Sequence, residues 1–269
     1  MNPKRIALVT TPMGWLVIWG VLALVLGVGF AFTAPLPQNA GYHDFADQRS
    51  LLGVPHFWNV VSNAVLLLAG LAGLVLLAAG GRRGKPLRFR ERTEGRLFFL
   101  FCLGVALTAV GSAYYHLAPD SARLFWDRLP LGLAAACLPA MMVAERLSLG
   151  KLGRALLWGW VTLGPLSVLY WHLGELRGMG DLRPYGLVQF GAMLAVLLML
   201  LTLPPRMSGS GHYGWALACY GLAKVCELAD GSIFALGGLT GGHSLKHMLA
   251  GVAVALIVRM MRKREPVTP

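Results

Sequence analysis

The chain has 269 residues, 56% of them hydrophobic and only 13% charged, against about 25% charged in an ordinary soluble domain. That balance excludes a soluble single-core protein, and no polar stretch between Trp15 and Met261 is long enough to form a separate globular unit. A net charge of +12 would suit nucleic acid, but the basic residues follow membrane topology, so neither nucleic acid nor an obligate protein partner is expected.

Apolar runs near the 20 residues needed to cross a bilayer as helix fall at about 15 to 34, 57 to 80, 97 to 117, 125 to 144, 155 to 173, 185 to 203, 213 to 236 and 243 to 261. The reading is eight helices, although Lys224, Glu227 and Asp230 interrupt the seventh. With the N-terminus in the cytoplasm, the inner connections hold 17 of the 24 Lys and Arg residues, the asymmetry of the positive-inside rule. Both termini are then cytoplasmic. The first run is longer than a signal-peptide core, so residues 1–34 are expected as a cytoplasmic N-terminus and a retained additional helix, and residues 35–269 as one membrane domain. Arg-rich, Lys-poor usage points to a bacterial inner membrane. Cys102, Cys137, Cys219 and Cys226 stand singly in apolar segments and read as packing residues, not as a disulfide framework or a thiolate metal site.

Charged and imidazole groups inside membrane helices are costly and therefore informative. The third run ends with Ser112 and His116 four apart on one face, the fourth opens with Asp127, and the last opens with His243 and His247, again four apart. Under this topology all five share one depth near the outer surface. Three histidines from two helices make a candidate first shell for zinc, with the fourth position left for water. Zinc brings the pKa of bound water to about 7 and polarises a carbonyl. Asp127 is then placed to accept and return a proton, and Ser112 to hold the water or the developing oxyanion. Each residue also has a plainer reading: an interfacial histidine, a helix N-terminal carboxylate beside Arg128, a packing hydroxyl. Glu227 is expected to pair with Lys224. Asp230, and with less reason Glu227 and Lys246, are candidates for a supporting shell that orients a ligand histidine.

The ordered set Ser112-x3-His116, Asp127 in Asp-Arg-Leu-Pro, and His243-x3-His247 on the final helix resembles the signature of the alkaline ceramidase family. That family lies within the CREST superfamily of seven-helix membrane hydrolases, which also holds the adiponectin and progestin receptors. The segment Phe57-Trp58-Asn59-Val60-Val61-Ser62-Asn63 is similar to the family's first core helix, so the resemblance runs from about Tyr42 to the last helix. It implies an all-α, seven-helix bundle with the 15 to 34 helix as an addition, and a zinc-dependent amidase cutting the N-acyl bond of a membrane lipid such as ceramide. His116, His243 and His247 would be the zinc ligands, with Ser112 and Asp127 around the zinc water. Three departures stand out. The family's acidic calcium-binding segment is represented by Asp44-Phe45-Ala46-Asp47-Gln48-Arg49, with His56 where a carboxylate begins the first core helix, which makes calcium at Asp44 and Asp47 doubtful. Arg128 replaces an acidic residue, and the first helix is extra. The alternative expectation is a seven-helix lipid receptor or binding protein that keeps zinc as a structural staple without turnover.

Overall fold

The computed structural model describes residues 27–28, 30, 32–80 and 87–267. Most of the additional helix expected at 15 to 34 lies outside them. The described residues are helical, with no strand beyond two isolated bridges, Leu51 to Val54 and Met207 to Pro266. After a short 3-10 turn at Ala40–His43 come α1 (Phe57–Ala78), α2 (Arg92–Leu117), α3 (Ser121–Arg146), α4 (Lys151–Glu175), α5 (Arg183–Thr202), α6 (Gly211–Leu228), α7 (Asp230–Gly237) and α8 (Gly242–Lys263).

Six of these, α1 to α5 and α8, are long and apolar enough to cross a membrane. The protein thus has the form of a multi-pass membrane bundle. The segment expected as one span over 213 to 236 is instead broken at Ala229 into α6 and α7, and Lys224, Glu227 and Asp230 account for its polarity. The helices α2, α3 and α4 begin about a turn before the apolar windows, because polar residues continue them. Asp120, for example, caps α3 by accepting from the Arg123 N–H at 2.6 Å, satisfying a donor that the first turn leaves free.

The helices form a ring. α8 packs against α6 and α1, α1 against α2, α2 against α3, and α3 against α4 and α5, while α5 and α6 meet only sparingly. The core joins Leu97, Phe101, Cys102, Cys137, Met141, Val196 and Ile257 from four of these helices. Cys102, Cys137 and Cys226 are buried and Cys219 is half-buried, all as free thiols.

Close helix approach depends on small residues. A Cβ on Gly111 of α2 would overlap the Trp126 carbonyl of α3, so glycine there lets the two backbones nearly touch one residue before Ser112. Gly111→Ala should gain about 1 kcal/mol in helix propensity but lose more, since overpacking against backbone costs about 1–3 kcal/mol. A lower melting temperature in detergent is expected, whereas Gly159→Ala, whose Cβ meets nothing within 4 Å, should melt no lower than wild type. Equal melting temperatures for the two variants would refute this account of the α2–α3 contact.

Candidate metal centre

The three histidines come together from helices far apart in the sequence. His116 lies in the last turn of α2, and His243 and His247 lie in the first two turns of α8. One ligand nitrogen from each lies within 4.8 Å of the other two, and all three residues are buried. Their rings are 4.9 Å (His116 to His243), 5.1 Å (His116 to His247) and 4.9 Å (His243 to His247) apart between centroids. Such a group can hold one metal ion.

The donors themselves argue for an ion. Both ring nitrogens of His116 are buried without a hydrogen-bond partner, and a buried polar group left unmade costs about 1–3 kcal/mol. Coordination would satisfy one of them. His247 directs Nδ1 to the Ser62 hydroxyl of α1 at 2.9 Å, which fixes its ring and leaves Nε2 as the ligand atom. Metal ligands are commonly oriented by such a partner. His243 places Nε2 3.0 Å from Lys246 Nζ, so an ion and the ammonium compete for that nitrogen. Lys246 keeps a second partner, Glu227, at 2.8 Å.

The supporting residues are arranged differently from expectation in one respect. Asp230 does not touch a ligand ring. Its Oδ1 accepts from the His243 backbone N–H and its Oδ2 from the Ala46 backbone N–H, both at 2.9 Å, so it fixes the start of α8 and ties the preceding loop to it. Glu227 pairs with Lys224 at 2.7 Å as well as with Lys246, joining α6 to α8. Asn59, in the α1 segment quoted above, accepts from the Ser244 hydroxyl at 2.7 Å. Ser62 and Asn59 thus dock α1 on the ligand helix, a role that residue type and spacing gave no means to assign.

Ser112 and Asp127 stand on the cavity side of the trio. Ser112 is buried, Asp127 is half-buried, and the Ser112 hydroxyl lies beside the carboxylate. Both line a cavity of about 360 Å³ together with His247 and Lys246. Away from this polar end the walls are apolar, including Phe101, Val105, Leu138, Val254 and Ile257. The cavity is therefore a mostly apolar slot with a cluster of polar groups at one end.

An aromatic ring from outside the helices covers part of the trio. Phe45, in the loop before α1, stacks edge-on against His116 at 4.6 Å and His243 at 4.4 Å and is itself buried. No sequence signal marked it. Phe45→Ala should leave the equilibrium metal content unchanged but speed metal loss to a soluble chelator about tenfold or more, measured as a time course; an unaltered rate would show that Phe45 is not the seal.

The acidic segment is engaged elsewhere. Arg49 grips both oxygens of Asp47, Nε to Oδ1 at 2.8 Å and Nη2 to Oδ2 at 2.7 Å, and this guanidinium holds the Asp47 carboxyl below the usual carboxylate range. Asp44 is exposed. With Asp47 neutralised internally, the pair has little left to offer calcium. His56, which opens α1, has φ of 45° and a buried Nδ1 without a partner, and it meets the edge of Phe45 at 5.9 Å.

No family model matches the chain, and no curated protein matches it.

Proposed function

We propose that this protein is a zinc-dependent hydrolase that cleaves the amide bond of an N-acyl lipid, ceramide or a related molecule, within the membrane. The observation that carries the reading is the position of the buried histidine trio, covered in part by Phe45 and opening, past Ser112 and Asp127, into an apolar cavity. Three neutral imidazoles suit zinc, which keeps a fourth position free in catalytic sites. The ion would supply a nucleophile from water at neutral pH and a Lewis acid for the amide carbonyl.

The chain's own groups would do the rest. The cavity length takes the acyl chain and brings the amide to the polar end. Asp127 accepts the proton of the attacking water and delivers it to the leaving nitrogen, and Ser112 donates to the oxygen on which charge develops. We further infer seven core spans, counting α6 and α7 as one interrupted crossing, with both termini cytoplasmic and the histidine end toward the outer face. The distribution of Lys and Arg supports that orientation.

The test is metal analysis of protein purified without chelators, alongside fatty-acid release from N-acyl lipids. About one zinc per chain and release of free fatty acid are expected. Protein without zinc would overturn the reading. Zinc without hydrolysis of any N-acyl lipid would favour a lipid-binding protein with a structural ion.

A further inference from the structure

The charges around the cavity do not balance. Five acidic or basic side chains line it: Asp127, Arg128, Lys224, Glu227 and Lys246. Both lysines share one carboxylate, Glu227, and the Asp127 carboxylate lies within electrostatic reach of Lys246 and Arg128 without an ion pair to either among the described residues. Three cations against two carboxylates leave one surplus positive charge, before any metal adds its own.

The surplus is located on Arg128. This residue is only 6% exposed and makes no ion pair among the described residues. Its one hydrogen bond runs from Nη1 to the Gln38 side-chain oxygen at 2.7 Å. Three aromatic faces surround the guanidinium, Tyr42 at 5.1 Å, Trp171 at 4.7 Å and Tyr185 at 5.4 Å. They fix its plane and take part of its charge, but they supply no acceptor in line with its remaining N–H groups. Those nitrogens are not among the fully enclosed unpartnered atoms, so they retain some accessible surface, and Arg128 lines the cavity. A guanidinium presents five donors in a rigid fork suited to planar or tetrahedral oxyanions. A neutral head group would leave that fork unmatched, whereas an anionic one would complete it.

We propose that the lipid taken by this cavity carries an anionic group, a carboxylate or a phosphate, which pairs with Arg128 while the hydrocarbon chain fills the apolar length. The inference rests on the amidase reading for the site but concerns binding, so the two can fail separately.

Matched pairs of N-acyl lipids differing in charge test it: N-oleoylglycine against its methyl ester, and ceramide phosphate against ceramide. Affinity for the full-length protein in neutral detergent is read without turnover, by thermal shift and tryptophan fluorescence. A preference of about tenfold or more for the anion in the first pair assigns a carboxylate, and in the second a phosphate. Arg128→Gln should abolish the preference while leaving affinity for the neutral member within about twofold, and Arg128→Lys should restore part of it. Equal affinity within both pairs, no binding of any of the four, or a preference that survives Arg128→Gln overturns the proposal. The wild-type comparison decides the matter even if the variants do not fold. Discrimination without hydrolysis would sink the amidase reading and keep this one; hydrolysis without discrimination would do the reverse.

Discussion

Alanine at His247 is expected to strip the metal from the protein. The substitution removes one of three ligands and also the ring that Ser62 orients at 2.9 Å. Loss of an orienting partner alone typically weakens a metal site 10–100-fold, so loss of the ligand should weaken it by on the order of 100-fold or more. Purified His247→Ala should carry little zinc beside a full complement in wild type, and Ser62→Ala should fall between them. Circular dichroism on the same samples separates metal loss from unfolding. A folded His247→Ala protein with wild-type zinc would remove His247 from the ligand set and the trio with it.

Asparagine at Asp127 should behave in the opposite way. It preserves shape and a hydrogen-bonding oxygen toward Ser112, yet it cannot take up a proton. Metal content should stay near wild type while fatty-acid release falls by on the order of 100-fold or more, the usual scale for loss of general acid–base help. Asp127 touches no member of the trio among the described contacts, so metal loss as complete as in His247→Ala would make it a ligand or a structural support. The assigned proton transfer would then be wrong.

What the sequence disclosed depended on how local each signal was. Six spanning helices were legible because length and apolarity within one window determine them. The break at Ala229 was not, because the charges of α6 could equally have sat in an unbroken helix facing an internal cavity. His116, His243 and His247 were legible as candidates from four-residue spacing, which fixes a shared helix face, and the structure brings them within 4.8 Å. Their surroundings were obscure for the opposite reason. Phe45, Asn59 and Ser62 act across separations of up to 198 residues, and nothing about an isolated phenylalanine, asparagine or serine announces a partner so remote. Asp230 shows the limit most clearly. Its position suggested a carboxylate behind a ligand ring, but both its oxygens are used by backbone N–H groups, a choice that side-chain spacing cannot reveal.

The ring closes through its final helix, and this fixes the order in which the site can come into being. As ribosome-bound chain enters the membrane, α1 to α6 stand as an open arc before α8 is made. Until then the Asn59 side chain lacks Ser244, Ser62 lacks His247, and His116 has no companion imidazole. These polar groups would face lipid on one flank of a half-built bundle, an arrangement that hydrocarbon penalises. Docking of α8 gives Asn59 and Ser62 their partners and brings the three imidazoles together in the same event. A nascent chain therefore cannot bring this trio together before α8 is in place.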